Sequence, residues 1–259
     1  MTKPIQIKNL IIGSGIPKIC VPLTASDKET LCREAEAAKA AGADLVEWRA
    51  DFFEGLSDND AVLETLRKLR GVLEETPLLF TIRTNAEGGN VDISPEEYRD
   101  RNLTAAESGC VDLVDVEVFG DMPKRTLLVH ELQEAGTKVI ASSHDFRKTD
   151  DQETLVNRFR EMDTTGADIL KMAVMPDGFG DAEAIMLATN RMRKEFTEKP
   201  LISMAMGMDG FITRISGENF GSSVTFGTVG KASAPGQIPV WELRNMLQVL
   251  HEKNEEGER

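Results

Sequence analysis

The sequence predicts an α/β fold, a (β/α)₈ barrel of the TIM type with an extra N-terminal β-hairpin, and three observations predict it. Short apolar runs of strand length alternate with longer stretches of helical period from Lys18 to the C-terminus, the pattern of repeated βα units on a parallel sheet. Eight such units can be counted, and their strand starts recur about every 23 to 35 residues, room for one strand, one helix and two short loops. The joints repeat as well: AAGADLVEWR, ESGCVDLVDVE, EAGTKVIASS and TTGADILKMA each put a glycine between a helical stretch and an apolar strand, where it can take the left-handed conformation that ends a helix.

Taken in order, residues 5–12 (IQIKNLII) read as one or two strands ahead of the barrel, a hairpin within residues 1–16 that would cover its N-terminal mouth. The GSG at 13–15 lacks the completion of a nucleotide-binding G-x-G-x-x-G and reads as a turn. Strands are predicted from Lys18 (KICVPL), Asp44 (DLVEWR), Leu78 (LLFTIR), Asp112 (DLVDVEV), Lys138 (KVIASS), Asp168 (DILKMAV), Leu201 (LISMAM) and Val224 (VTFG). Between them, residues 28–41 are rich in Ala, Glu and Lys with Ser26 or Asp27 to cap the helix, and Ser94 followed by Pro95, Glu96 and Glu97 reads as a cap, a first-turn proline and an acidic first turn. Residues 252–259 form a charged tail predicted to fray, and with no linker or low-complexity stretch the expectation is one domain over 1–259.

Composition narrows the function classes. The 259 residues carry 30 Lys plus Arg against 44 Asp plus Glu, a formal charge of −14 that argues against nucleic acid or an anionic membrane as partner. No apolar run approaches the roughly 20 residues of a membrane span, and the N-terminus does not read as a secretion signal, so a cytoplasmic location is expected. Cys20, Cys32 and Cys110 are odd in number and far apart, which fits reduced, mostly buried thiols. His130, His144 and His251 have no metal-ligand spacing, so neither a metal nor another cofactor is expected.

Charges inside barrel strands point to a site, because both faces of such strands are normally dry. Glu47 and Arg49 share one parity on the second strand, Arg83 follows Leu79 and Thr81 on the third, Glu117 follows Leu113 and Asp115 on the fourth, and Lys171 follows Ile169 on the sixth. All lie late in their strands, at the end where this architecture builds active sites. Flanked by Ile169, Leu170, Met172 and Ala173, Lys171 reads two ways: a poorly solvated amine able to add to a ketone, or an ion-pair partner of Glu47 or Glu117. His144 ends the fifth strand in SSHDF, in reach of the same pocket as a proton shuttle, and Glu87 in NAEGGN can orient it from a glycine-flexible loop. Arg214 and Arg83 offer forked donors for a carboxylate, while Ser233 and Gln237 in SAPGQ put two hydrogen-bonding side chains on a closing loop.

Together EWRAD, FTIRTNAEGG, DVEVF, SSHDF, LKMAVMP, FGSSVTFG and KASAPGQ resemble the type I 3-dehydroquinate dehydratases over nearly the whole chain. The resemblance implies that Lys171 forms an imine with the substrate ketone, that His144 moves the proton and that Glu87 positions His144. It further implies that Glu47 and Arg49 hold ring hydroxyls, that Arg83, Arg214, Ser233 and Gln237 surround the carboxylate, and that the enzyme is a homodimer turning 3-dehydroquinate into 3-dehydroshikimate. Pro22, Ala205 and Gly230 with Lys231 depart from the family pattern and touch the details of substrate contact and loop closure. Two rivals remain: another Schiff-base barrel such as a class I aldolase, less suited because arginines and SAPGQ fit carboxylate and hydroxyls better than phosphate, and a catalytically silent barrel that senses a metabolite.

Overall fold

A computed structural model describes residues 2–230 and 233–257. An antiparallel hairpin of β1 (Ile5–Ile7) and β2 (Leu10–Ile12) leads into β3 (Lys18–Leu23), α1 (Lys28–Ala40), β4 (Leu45–Arg49), α2 (Asn59–Leu73), β5 (Leu78–Thr81), α3 (Pro95–Glu107) and β6 (Leu113–Glu117). There follow α4 (Met122–Glu134), β7 (Lys138–Asp145), α5 (Gln152–Asp163), β8 (Ile169–Val174), α6 (Phe179–Glu195) and β9 (Leu201–Ala205). Two short helices, α7 (Phe211–Ile215) and α8 (Gly217–Phe220), stand where the repeat predicts a single helix, before β10 (Val224–Thr228), β11 (Ile238–Pro239) and α9 (Val240–Gly257).

Strands β3 to β10 run parallel, each beside the next, and β10 returns to pair with β3 through Val224 and Lys18, Thr225 and Ile19, Phe226 and Cys20. The seam between β9 and β10 is joined by the Leu201–Ser222 bridge, where Ser223 N–H donates to the Leu201 carbonyl at 2.7 Å, so the sheet closes into a barrel. Strand β11, absent from the sequence prediction, adds a short parallel pair outside β10.

Three predicted strand starts, at Asp44, Asp112 and Asp168, move one residue later because these aspartates serve a neighbouring strand instead. Their carboxylates accept from the backbone N–H of Ile19 at 2.6 Å, Leu78 at 2.8 Å and Val139 at 3.0 Å, donors at the strand ends that would otherwise be left unpaired. The joint glycines Gly42, Gly109, Gly136 and Gly166 all have positive φ, so each helix ends where the repeat predicts. Asp27, not Ser26, caps α1 by accepting from Thr30 N–H, and Ser94 forms a reciprocal capping box with Glu97.

Alternation along the strands sorts side chains into an outer core under the helices and an inner core. The inner core at the N-terminal end is made by Cys20, Leu45, Leu79, Leu113, Ile140, Ile169, Ile202 and Val224, and the hairpin adds Ile7 and Ile12 to it as a plug. Cys20 is buried whereas Cys32 and Cys110 are half-buried, so the expected burial of the thiols holds for one of three. The charged tail does not fray as predicted: α9 continues to Gly257, helped by Gln248 donating to Glu252 and by Asn254 reaching Glu218 on α8, while residues 258–259 lie outside the described residues. Among the described residues no helix is long and apolar enough to cross a membrane.

Ile12 is fully buried at the mouth opposite the strand ends that carry the charges. Ile12→Ala is expected to lower the unfolding free energy by about 2–5 kcal/mol, measured by urea denaturation. Because the plug lies far from those charges, the folded fraction should keep its full ligand binding.

Candidate active site

Above the apolar inner layer the same strand faces become polar. The inward positions two residues further along carry Glu47, Thr81, Asp115, Ser142 and Lys171, and the next carry Arg49, Arg83, Glu117 and His144. The register aligns them: Ser142 pairs with Lys171, and His144 with Ala173, so base and amine candidates stand on adjacent strands one inward step apart.

Lys171 is 4% exposed, and its Nζ lies 3.1 Å from Asp115 Oδ2, 3.5 Å from Glu47 Oε1 and 4.8 Å from the centre of the Phe226 ring. The poor solvation read from its strand neighbours is therefore corrected across the barrel, where two carboxylates face the amine. Glu47 is the ion-pair partner named in the sequence; Glu117 is not, because it accepts from Arg83 at 3.0 Å and from Thr84 N–H and Oγ1 at 2.8 and 2.7 Å. Asp115 was read from sequence only as a strand-parity marker. It is fully buried, accepts from Ser142 Oγ at 2.6 Å and Arg83 Nη2 at 2.9 Å, and joins Lys171 to Arg83.

Arg83 is 3% exposed and is surrounded by Asp115, Glu117 and, at 3.5 Å, Glu87. Burial works against its charge, but these carboxylates and Glu47 outweigh it and raise its pKa. Asp115 is held below the usual carboxylate range: burial opposes ionisation, and Arg83, Lys171 and the Ser142 hydrogen bond overcome it.

Glu87 Oε2 accepts the backbone N–H of His144 at 2.9 Å and lies 2.9 Å from His144 Nδ1. An oxygen already accepting from one N–H favours Nδ1–H as a second donor, which leaves the Nε2 lone pair free. Burial, reinforced by Arg83, Lys171 and Arg49, lowers the His144 pKa well below 6.5, so the ring is a neutral base at physiological pH. Burial also pushes Glu87 up to about 8, opposed by Arg83 and supported by Glu117 and Asp115. Asp145, the neighbour of His144, turns away and accepts from the N–H groups of Arg147 and Lys148.

Arg214, on α7, is 1% exposed and donates to the Pro235 carbonyl at 2.7 Å. Its Nε and Nη1 have no hydrogen-bond partner among the described residues, and burial lowers its pKa to about 10. Ser233 and Gln237 bond to each other, Ser233 N–H donating to Gln237 Oε1 at 2.9 Å and Gln237 Nε2 to Ser233 Oγ at 3.0 Å. Lys231, within the predicted closing loop, lies outside the described residues, whereas Gly230 beside it is exposed.

A cavity of about 490 Å³ gathers Glu47, Arg49, Arg83, His144, Lys171, Arg214, Ser233 and Gln237, with Glu87 behind His144. Phe146, Met204, Met206 and Phe226 give it apolar walls. Among the sequence departures, Ala205 faces the outer core, where a Cβ on Gly210 would lie 2.1 Å from the Ala205 carbonyl oxygen, and Pro22 borders a different hollow beside Thr228 and Gly230. Chemically, the cavity offers an amine, a neutral imidazole and a buried cation with no carboxylate partner among the described residues. That set suits a small carboxylate bearing a carbonyl group.

A sequence model of the type I 3-dehydroquinase family matches residues 19–254. The chain is 43% identical to a 3-dehydroquinate dehydratase of Klebsiella pneumoniae (strain 342) over 96% of its own length and 100% of the relative's, and 44% identical to one of Listeria innocua over 96% and 98%. The fold superposes with a TM-score of 0.94 on a type I 3-dehydroquinate dehydratase from Clostridium difficile crystallised with covalently modified comenic acid, at 42% identity and covering 98% and 100% of the two chains.

The lowering of Arg214 from 12.5 to about 10 corresponds to about 3 kcal/mol spent keeping this cation charged at neutral pH. Arg214→Leu should therefore raise the unfolding free energy of the ligand-free protein by about 1–3 kcal/mol in urea denaturation. Stabilisation of the wild type by small carboxylates, followed as a rise in Tm, should disappear in the same variant.

Proposed function

This chain belongs to the type I 3-dehydroquinase family and is a hydro-lyase, and from that premise we propose that it dehydrates 3-dehydroquinate to 3-dehydroshikimate through an imine on Lys171. The observation that carries this reading is the opening of Lys171 and His144 into one cavity beside Arg214, a buried cation awaiting an anion. The covalently modified ligand named for the Clostridium difficile relative supports covalent chemistry in the family.

The substrate carboxylate takes the free donors of Arg214, with Ser233 and Gln237 beside it, and Glu47 and Arg49 hold ring hydroxyls. Lys171 passes one proton to a facing carboxylate and adds to the ketone carbon; the former carbonyl oxygen then takes one proton from the nitrogen and that proton back from the carboxylate, and leaves as water as the C=N bond forms. Asp115 and Glu47 then face the iminium charge. Nε2 of His144 takes a proton from the carbon beside the iminium, and the C–H electron pair becomes an enamine. The enamine pushes out the hydroxyl on the next carbon, which accepts the same proton from His144 and departs as water. Hydrolysis of the conjugated imine returns the amine and the enone. Glu87 holds His144 in the tautomer this needs by accepting from its backbone N–H and from Nδ1–H. On the family reading the enzyme acts in the cytoplasm as a homodimer, on the shikimate route to aromatic amino acids.

Borohydride reduction with 3-dehydroquinate should add one substrate-derived mass to Lys171 in the wild type and none in Lys171→Ala, read by mass spectrometry. A second adduct site in that variant would reassign the nucleophile. His144→Ala should still form the trapped imine while kcat falls by about 10²–10⁴, followed by absorbance of the conjugated product. Binding without turnover in the wild type would favour a sensor.

Because His144 must be neutral and its pKa is depressed, its contribution is kept at neutral pH and lost as pH falls through that lowered value. The acidic limb of the kcat profile should therefore lie below pH 6.5, so the enzyme stays active where an ordinary histidine would be half protonated.

A further inference from the structure

Asp51 sits in the turn Ala50–Phe52 just beyond β4 and takes no part in the scheme above. Its side chain is fully buried, and it does not line the substrate cavity. Arg49 grips it with both branches of its guanidinium, Nε at 2.8 Å to Oδ1 and Nη2 at 2.9 Å to Oδ2. The same carboxylate accepts from Arg83 N–H at 3.3 Å and from Asn90 N–H and Nδ2 at 3.2 and 3.1 Å. Arg83 and Asn90 bracket the loop that carries Glu87, and the loop is knotted by Gly89 N–H donating to Thr84 O at 2.8 Å and Asn85 N–H to Val91 O at 2.9 Å.

We propose that Asp51 is a positioning residue that locks the substrate-facing Arg49 and the Glu87-bearing loop to one anchor. Two independent features require the loop to stay where Asp51 holds it. A Cβ on Gly89 would lie 1.9 Å from the Arg83 carbonyl oxygen, and one on Gly88 would lie 2.3 Å from the Phe146 ring, so the loop is folded hard against the β5 end and the segment after His144. Glu87 reaches His144 through hydrogen bonds of 2.9 Å, a geometry that tolerates little drift. One carboxylate thus sets the grip on a ring hydroxyl and the orientation of the base together. Neither function uses Asp51 against the substrate.

The proposal rests on the dehydratase reading for its kinetic arm and is independent of it for its structural arm. With 3-dehydroquinate, Asp51→Asn is expected to raise KM and lower kcat, each about tenfold, because the amide cannot accept both branches of Arg49 or hold the loop as firmly. Asn90→Ala, an exposed position touching only the loop arm, should lower kcat while KM stays within about twofold. Borohydride trapping at saturating substrate should still label Lys171 in both variants. Hydrogen exchange of the 84–91 amides should speed up by at least about tenfold in Asp51→Asn, whether or not the wild type forms an imine. Unchanged exchange of those amides, or KM and kcat within about twofold of wild type in Asp51→Asn, overturns the role assigned to Asp51. Failure of the wild type to form the imine would instead overturn the dehydratase reading and leave the exchange result to judge Asp51.

Discussion

Two cations and four carboxylates, Lys171 and Arg83 with Asp115, Glu47, Glu117 and Glu87, occupy the middle of a barrel whose lower half is hydrocarbon. Each of these charges would cost several kcal/mol to desolvate alone, so none can be present without the others. Asp115 is the link, since its two oxygens serve Lys171 on one side and Arg83 with Ser142 on the other. Alternate inward positions on neighbouring strands bring five of them together and strand register sets their spacing, while Glu87 reaches in from the loop after β5. The barrel contributes to chemistry first as a frame that makes a dense charge cluster affordable.

That cluster shapes the two groups beside it in opposite directions. Burial, with nearby positive charge, keeps His144 unprotonated, while burial, with neighbouring carboxylates, draws Glu87 toward protonation. The two shifts leave His144 free to accept a proton at Nε2 while Glu87 fixes its orientation. Arg214 differs from Arg83 although both are buried arginines. Arg83 is paired with Glu117 and Asp115 while also lining the cavity, whereas Arg214 keeps Nε and Nη1 without a partner among the described residues. Burial of Arg214 without a carboxylate partner among the described residues costs stability, and in the proposed reaction the substrate supplies the missing charge.

Much of this was legible in the residues because local rules and the fold agree. Gly42, Gly109, Gly136 and Gly166 mark helix ends by a backbone need that only a few residues meet, so the βα phase could be read directly. Strand parity exposed Glu47, Arg83 and Lys171 as charges on a face that should be dry. What parity cannot convey is which charge meets which, since that depends on register between strands. Sequence therefore offers Glu47 and Glu117 as partners of Lys171, of which only Glu47 is met, and leaves out Asp115. Asp51 escaped notice for a related reason: it follows the strand in a turn, where an acidic residue normally faces water. Its burial depends on a loop some 40 residues away folding back over it, as the sequence distance to Asn90 records. The helical tail is hidden in composition, which reports charge alone, because the contacts of Asn254 with α8 are tertiary.

The hairpin plug has a further consequence for traffic. With Ile7 and Ile12 sealing one end of the barrel, the cavity works as a blind well, so reactant, departing water and product share a single doorway. Such a vessel must empty before it refills. Any molecule that wedges at the rim, among Arg214, Ser233 and Gln237, stops entry and exit at once, and a tightly seated compound there would act as a cork even if it never touched the amine below.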